Sequence, residues 1–365
     1  MATKEILKYN PDYGVPPGET LLDTIHALGM SQVDLASRTG RPLKTINEIV
    51  KGRTAITPET ALQFERVLGV PASFWNSLER DYQEHLAAKE ERSRLRSYRN
   101  WLSEIPIKEL IKRGWVKDSK HQADLVARAL NFFGVSSPQA WEQIWTSPQA
   151  AFHRSKAFTS SPGAVAAWLR IGELKAAQVE CESFDKARFR QEIEQLRGLT
   201  IESSRKIKHQ LVEKCRRVGV AVVFVSELPK THVSGATQWL KPDKALIQLS
   251  CRYRSNDQFW HTFFHEVGHI LLHGKKSVFV DSAEARNEST EEVEAHDFAA
   301  NLLVPSSKMR TFLKKWRGTE SEIIEFAEEL QITPAIVVGQ LQHNNELSFS
   351  QMNHLKTYRF DLTDE

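Results

Sequence analysis

The sequence predicts a multidomain protein that is mainly α-helical and contains one small β-sheet. Three observations support this fold class. Short helical patterns, separated by glycine and proline, fill residues 1–88. Three apolar runs at 219–225, 233–240 and 245–250 have the composition of strands. A strongly apolar helical pattern at 260–274 follows these runs and contains the motif H-E-x-x-H.

Length and composition indicate several globular domains. The chain has 365 residues, of which 41% are hydrophobic and 26% charged, and this length suits two or three domains. We expect a first domain at 1–88, a helical linker and middle region at 89–200 and a last domain at 201–365. No apolar run has the length of a membrane span, and the first residues lack the apolar centre of a signal peptide. We therefore expect a cytoplasmic protein without a membrane partner.

Charge and cysteine usage narrow the function classes further. The formal net charge is only +3, so any binding of nucleic acid has to come from a local patch. Cys181, Cys215 and Cys251 are far apart and do not have the spacing of metal ligands. They are expected to be reduced thiols, as is usual in a cytoplasmic protein.

The first 88 residues predict a set of five helices. Ser31 is suited to cap the second helix, and Gly40 to make the turn that follows it. Pro42 suits the first turn of the third helix and Gly52 its end. Two short helices joined by a tight turn that contains glycine are typical of a helix-turn-helix.

Two stretches of this domain resemble known DNA-binding families. The pattern S-Q-x-x-L-A-x-x-x-G-x-x-x-x-T-I-x-x-I-x-x-G, which begins at Ser31, resembles the Cro/repressor type of helix-turn-helix. P-P-G-E-T-L-L before it and I-T-P-E-T-A-L-Q-F-E-R-V-L-G after it resemble HigA-type antitoxins. The resemblance implies operator DNA as a partner, bound by a homodimer at a palindromic site. A small helical module that binds protein instead of DNA is the alternative.

The DNA-binding interpretation assigns roles to seven side chains. Base edges in the major groove would be contacted by Leu43, Lys44 and Asn47, with Asn47 able to form hydrogen bonds to them. Contacts to phosphate, which set the register of the protein on DNA, are assigned to Gln32, Thr45, Lys51 and Arg53.

The middle of the chain predicts helices without a catalytic cluster. The charged run at 89–99 favours a solvated linker helix, and helical patterns continue over 105–134 and 163–199. Its tryptophans are expected in the core: Trp101, Trp115, Trp141, Trp145 and Trp168. Packing between the two ends of the chain and ligand sensing are both open as its role.

The motif H-E-x-x-H predicts a metal site. His265 and His269 are four residues apart, so a helix presents them on one face where two imidazoles can bind one ion. Glu266 lies one position further round, where it could hold and deprotonate a water molecule. Two surface histidines on a helix are the alternative, but the strongly apolar flanks argue against it because buried polar groups need partners.

A third ligand is predicted on the helical run at 289–305. At 100° per residue, Glu292 falls on the same stripe as the small residues Ala295 and Ala299, which would let two helices approach closely. Glu294 points to the opposite side. We therefore predict a site made of two histidines and Glu292, with one position open as in catalytic zinc sites. The alternatives are that Glu292 forms a capping box with Ser289 or that another acidic residue is the ligand.

The two motifs together resemble a family of zinc metallopeptidase domains. H-E-V-G-H, followed by E-V-E-A-H-D-F-A-A-N-L-L-V-P from Glu292, is similar to the ImmA/IrrE family over about residues 200–345. The resemblance implies an α+β, zincin-like domain that holds Zn²⁺ and uses Glu266 as its general base. It departs at His296, which stands where that family has Asn or Asp. The ring of His296 is expected to orient a ligand or to bind metal itself.

Two further features near the motif have open roles. The segment Ser234-Gly235-Ala236 is either an exposed strand edge that aligns a peptide or an ordinary inner strand. An oxyanion could be stabilised by His273, His232 or Tyr253, although each also suits a structural or surface role.

These predictions support one main function and two alternatives. The main one is a transcriptional regulator of the repressor or antitoxin type, fused to a zinc peptidase that cleaves a regulatory protein or the chain itself. Its protein partner would be that substrate or a cognate toxin. The first alternative is a DNA-binding antitoxin whose metal domain senses a ligand or partner without cleavage. The second is a peptidase whose helix-turn-helix binds a protein.

Overall fold

A computed structural model describes residues 14–146, 160–250, 255–275, 279–281 and 289–356. The chain divides into two compact units. The first takes in the chain up to Arg99 together with His121–Asp124, and the second takes in Asn100–Lys120 and the chain from Leu125 onward. Throughout the described ranges, no helix combines the length and the apolar character that crossing a membrane requires.

The first unit contains the predicted set of helices around a core of its own. They are α1 (Pro17–Ala27), α2 (Gln32–Thr39), α3 (Leu43–Val50), α4 (Pro58–Leu68) and α5 (Ala72–Ser97). Ser31 caps α2 in a reciprocal capping box with Asp34, and Gly40 ends α2 in a left-handed conformation with a φ of 69°. Helix α5 runs through the boundary expected near residue 88, and the expected domain limits remain predictions.

Helices fill the second unit before its sheet begins. They are α6 (Ile107–Lys112), α7 (Gln122–Phe133), α8 (Pro138–Trp141), α9 (Pro162–Ala177), α10 (Lys186–Arg197) and α11 (Ser204–Arg216). The first few residues of α7 belong to the first unit by compactness. Of the tryptophans predicted in the core, Trp115 is only half-buried and packs beside Phe132. The other four are buried, namely Trp101, Trp141, Trp145 and Trp168.

The sheet contains the predicted strands and one strand that was not predicted. Its strands are β1 (Val220–Phe224), β2 (Gly235–Lys241), β3 (Lys244–Leu249) and β4 (Phe279–Asp281), in the spatial order β1-β3-β2-β4. β1 pairs parallel with β3, while β2 pairs antiparallel with both β3 and β4. Val220, Ala221 and Val222 are all buried, which explains the continuous apolar run of β1.

The interpretation of Ser234-Gly235-Ala236 as an exposed strand edge is wrong. β4 pairs with β2 at Gly235, Ala236 and Thr237, the same residues that β3 approaches from the other side. This part of β2 is therefore an inner strand. Its small residues serve a different purpose, which is the close approach of the neighbouring helix.

The remaining helices pack with the sheet around the larger core. They are α12 (Asn256–Leu272), α13 (Thr290–Leu303), α14 (Ser306–Lys315), α15 (Glu320–Leu330) and α16 (Pro334–His343). Helix α12 carries H-E-x-x-H and is buried over nearly its whole length, as its apolar sequence predicts. Thr333 precedes α16, and its side chain makes no capping hydrogen bond.

Candidate metal centre

Three ligand atoms converge between α12 and α13. Nε2 of His265 lies 3.0 Å from Nε2 of His269 and 3.0 Å from Oε2 of Glu292. Nε2 of His269 lies 3.6 Å from Oε1 of Glu292. All three side chains can place one ligand atom within 4.8 Å of the others. The structure thus brings together the three residues that were predicted as metal ligands.

The sequence explains why the two helices can approach closely enough. A Cβ on Gly268 of α12 would lie 3.1 Å from the Cα of Ala295 on α13, so only glycine fits there without displacement. Ala295 and Ala299 are fully buried on the facing stripe. A glutamate side chain is short, and this close packing lets Glu292 reach the two histidines.

Only one half of the capping box expected between Ser289 and Glu292 is present, and it involves the backbone of Glu292. The side chain of Ser289 accepts a 3.3 Å hydrogen bond from the backbone N–H of Glu292 and so caps α13. The carboxylate of Glu292 does not reach back to complete a capping box, because it lies against His265 and His269. Glu292 therefore lies in the capped first turn of α13 and also faces the site.

Burial and hydrogen bonding perturb the protonation of the cluster. Burial lowers the pKa of His269, and its contact with Glu292 offsets only part of that effect. Burial acts to raise the pKa of Glu292, but its contacts with His265 and His269 outweigh it and lower that pKa well below its usual range. The arrangement favours a carboxylate anion facing two imidazoles whose side chains are fully buried.

The sheet holds the carboxylate of Glu266, the residue that follows His265. The hydroxyl of Thr237 on β2 donates a 2.6 Å hydrogen bond to Oε2 of Glu266. A Cβ on Gly235 would lie 2.5 Å from Oε1 of Glu266, so the absent side chain at this position makes room for the carboxylate. Glu266 is completely buried, next to the first histidine of the motif.

Further histidines extend the cluster along α12 at intervals of four residues. His261 lies at one end, where its Nε2 is 3.0 Å from Nδ1 of His296. Burial first, and then the neighbouring histidines, lower the pKa of His261 to about 3. The ring centroid of His296 is 4.4 Å from that of His265. Among the described residues His296 does not join the converging ligand atoms, and its ring packs against a candidate ligand instead.

The other end of this row of histidines reaches α13 a second time. Nδ1 of His269 lies 3.0 Å from Nδ1 of His273, and Nε2 of His273 lies 3.1 Å from Oε2 of Glu294. The side chain of His273 is only 7% exposed, so it is not a surface residue. Phe279 of β4 stacks on His269 with 4.0 Å between ring centroids and 13° between planes.

The remaining oxyanion candidates stay predictions. His232 lies three residues before Gly235 and has a left-handed backbone with a φ of 50°, a conformation that a residue with a side chain adopts at a cost. Tyr253 lies outside the described residues.

The predicted DNA-contacting residues surround the start of α3. Leu43 and Lys44 are exposed in its first turn, while Thr45 and Asn47 are half-buried. Ile46 and Ile49 on the opposite face are buried. Helix α3 therefore has an apolar inner face, and its predicted contact residues lie away from the core.

The residues assigned to phosphate contact differ in their exposure to solvent. Lys51 and Arg53 follow α3 and are exposed, and Arg53 has Glu48 at 4.0 Å. Gln32 begins α2, is half-buried, and its Oε1 accepts no hydrogen bond within the described part of the chain.

Two residues that shape the centre, Thr237 and Phe279, were not predicted from the sequence. Gly235, His273 and Glu294 were considered there in other roles. Helical spacing is a signal for His273, because it continues the interval of four residues from His265 and His269. The others meet the site only through the pairing of β2 with its neighbours and through the packing of α12 on β2 and α13, which no local pattern indicates.

Two separate regions of the chain match models of known protein families. Residues 215–341 match the family model of the IrrE N-terminal-like domain, a peptidase family. Residues 25–75 match the family model of the helix-turn-helix. A search of curated proteins gave no match.

Solved structures that match the chain include two antidote proteins. One is the addiction module antidote protein of a HigA family from Coxiella burnetii, with 28% sequence identity and a TM-score of 0.22 over 23% of this chain and 92% of that chain. The other, from Nostoc punctiforme, is assigned as the antidote protein of a plasmid maintenance system. It has 23% identity and a TM-score of 0.22 over 23% of this chain and 91% of that chain.

The two family matches fall on the two regions that carry the predicted motifs. The first covers β1 to α16, including His265, His269 and Glu292. The second covers α2, α3 and α4. The chain therefore combines a helix-turn-helix DNA-binding segment with a metallopeptidase-family domain of the IrrE type.

Proposed function

We propose that this protein is a cytoplasmic transcriptional regulator of the repressor or antitoxin type whose second domain is a zinc-dependent peptidase. Its substrate is a regulatory protein, a cognate toxin or the chain itself. The observation that carries the proposal is the convergence of His265, His269 and Glu292, with the buried Glu266 directly after His265 in the motif. This is the donor set of catalytic zinc sites that keep one position open.

The residues present fit a divalent cation. The Nε2 atoms of His265 and His269 are 3.0 Å apart, so two lone pairs would repel each other there unless a proton or a cation lies between them. Oε1 of Glu292 is buried and accepts no hydrogen bond from any residue that the structure describes. A cation bound by both imidazoles and the carboxylate would satisfy all three groups.

Chemistry at such a site divides between the ion and the chain. Zinc held by these three side chains would supply Lewis-acid activation of a peptide carbonyl and of a water molecule. Glu266 acts as the general base, because it is buried, adjacent to His265 and oriented by the hydrogen bond from Thr237. It takes the proton from the attacking water and passes it to the leaving amine.

Metal content is the first test of the proposal. We would measure it by elemental analysis of the full chain purified without chelator, for wild type, Glu292→Ala and Asp297→Ala. Asp297 is an exposed carboxylate on the same helix as Glu292 and serves as the matched control. One zinc per chain in wild type and in Asp297→Ala, lost in Glu292→Ala, would support the site. Wild type without stoichiometric metal would remove the peptidase proposal and leave a DNA-binding regulator.

Cleavage separates a peptidase from a metal-dependent sensor. Wild type and Glu266→Gln would be incubated with candidate repressors, with candidate toxins and alone. The amide keeps the shape of the side chain but cannot accept the proton, so cleavage should disappear while zinc content and operator affinity stay unchanged. Zinc-loaded wild type that cleaves none of these substrates would favour the sensor alternative.

DNA binding is tested by titration of operator DNA at several stated salt concentrations. We expect a homodimer on a palindromic site, with Leu43, Lys44 and Asn47 at base edges. Asn47→Ala should cost about 1–3 kcal/mol of discrimination between sites. Lys51→Ala should weaken binding to all sequences and reduce the salt slope by about one. Equal binding of any DNA by wild type and Asn47→Ala would instead favour a helix-turn-helix that recognises a protein.

A further inference from the structure

We propose that His273 and Glu294 are positioning residues that fix the orientation and the tautomer of His269. This inference rests on the metal site proposed above. Three side chains, His269, His273 and Glu294, follow one another from the site outward, and we call them the relay. Nδ1 of His269 is 3.0 Å from Nδ1 of His273, and Nε2 of His273 is 3.1 Å from Oε2 of Glu294. Neither His273 nor Glu294 has a ligand atom in the convergent group.

Only one arrangement of protons lets His269 bind a metal and keeps both contacts. Nε2 of His269 faces His265 and Glu292, so it has to carry the lone pair that a metal binds. The proton of His269 is then on Nδ1 and is donated to Nδ1 of His273. His273 therefore carries its own proton on Nε2 and donates it to the carboxylate of Glu294. A carboxylate, which only accepts, is the right group to end this chain.

Packing holds the middle of the relay in place. The side chain of His273 is 7% exposed, whereas that of Glu294 is 55% exposed. Phe279 covers the face of the His269 ring. The ring centroid of Phe279 also lies 5.3 Å from the ring centroid of His273. The stacking fixes the plane of His269, and the hydrogen bond to His273 fixes the rotation of the ring within that plane. His273 is thus expected to contribute more to zinc affinity than the exposed Glu294.

The relay also gives α13 two connections to the site. Glu292 faces the histidine nitrogens directly, and Glu294, two residues later, acts through His273. Ligand histidines in metal sites commonly donate their second N–H to such a partner, and loss of that partner typically weakens metal binding about 10–100-fold. The same weakening is expected here when His273 is removed and the three proposed ligands are kept.

Zinc affinity of the full chain tests the relay. It would be measured by competition with a chromophoric chelator for wild type, His273→Leu, His273→Asn, Glu294→Ala and the control Asp297→Ala. We expect binding about 10–100-fold weaker in His273→Leu. His273→Asn should recover most of it, because the amide oxygen can accept from Nδ1 of His269. Glu294→Ala should lose about twofold to tenfold because its hydrogen bond is exposed, and Asp297→Ala should match wild type.

A spectroscopic readout separates positioning from general loss of structure. In the Co²⁺-loaded protein, the proton of Nδ1 of His269 gives a shifted, solvent-exchangeable NMR signal. Its exchange with water should be slow in wild type, faster in His273→Leu and slow again in His273→Asn. A fold defect alone would not be reversed by asparagine.

The outcomes distinguish failure of the relay from failure of the site. Zinc binding and N–H exchange in His273→Leu equal to wild type would overturn the relay while the site stands. If His273→Leu does not fold, unchanged zinc affinity in Glu294→Ala overturns it. Wild type that binds no zinc, or His269→Ala that binds it as tightly, would overturn the proposed metal site and the relay with it.

Discussion

The hydroxyl of Thr237 donates a 2.6 Å hydrogen bond to Oε2 of Glu266. Thr237 lies on β2 and Glu266 on α12, so the sheet orients the side chain proposed as the general base. The backbone carbonyl of Glu266 lies further from the same hydroxyl, at 3.2 Å. A threonine hydroxyl has a single proton, and the shorter contact to the carboxylate takes it.

Replacing Thr237 by valine should reduce peptide cleavage at nearly constant shape. Hydrogen bonds to charged groups contribute about 1.5–3 kcal/mol, so we expect the rate to fall about 10–100-fold while zinc content stays at the wild-type level. Thr237→Ser keeps the hydroxyl and should retain most of the activity. Steady-state kinetics on a cleaved substrate would check this. A Thr237→Val protein as active as Thr237→Ser would contradict the orienting role.

Gly235 makes a separate contribution to Glu266. A Cβ at this position would lie 2.5 Å from Oε1 of Glu266 and 2.9 Å from Cγ2 of Thr262. Gly235→Ala should therefore displace the carboxylate, abolish measurable cleavage and leave the metal ligands on α12 in place. Elemental analysis and a cleavage assay on the same sample test this prediction. Ala236→Gly, one residue along β2, is the control, and full activity in Gly235→Ala would show that the helix can move away.

Spacing along single helices was enough to predict which three side chains the structure brings together. His265 and His269 share a face of α12, and the stripe of Ala295 and Ala299 on α13 selected Glu292 over Glu294. These residues come together because periodicity determines which side chains a buried helix directs inward. The three longer strands and the cap of α2 followed from equally local signals.

Contacts between distant segments could not be predicted in this way. Thr237 and Glu266 meet because α12 packs on β2, and nothing in the sequence near Thr237 indicates that packing. β4 is three residues long, too short for an alternating pattern to show, yet it turns β2 into an inner strand. Glu294 was assigned to the opposite side of α13, and its side chain reaches His273 only because the end of α12 lies beside it.

The close approach of α12 and α13 should be required for metal binding. Ala295 is fully buried, and its Cα lies 3.1 Å from where a Cβ on Gly268 would be. Ala295→Leu would push the helices apart and withdraw Glu292 from the histidines. We expect a cost of about 1–3 kcal/mol in stability from overpacking and a loss of zinc affinity at least as large as that of Glu292→Ala. Val293→Leu, at an exposed position of α13, is the control. Thermal unfolding and chelator competition are the measurements, and zinc affinity equal to wild type would refute the requirement.

A buried ion pair should stabilise the start of the helix that carries the motif. Nζ of Lys356 lies 2.7 Å from Oδ2 of Asp257 in the first turn of α12, and both side chains are less than 10% exposed. Lys356 also donates a 2.8 Å hydrogen bond to Oε1 of Gln342. A Cβ on Gly339 would lie 2.7 Å from the carboxylate of Asp257, so α16 leaves room for this group by having glycine there.

Removing one partner of this pair should cost more than removing both. Lys356→Met leaves the Asp257 carboxylate buried without its cation, which typically costs about 3–5 kcal/mol. Asp257→Asn combined with Lys356→Met should recover much of that loss, because no uncompensated charge remains. Urea unfolding followed by circular dichroism measures both, with the exposed Lys314→Met as control. If the single Lys356→Met variant unfolds at the same urea concentration as wild type, the ion pair does not hold this end of the chain against α12.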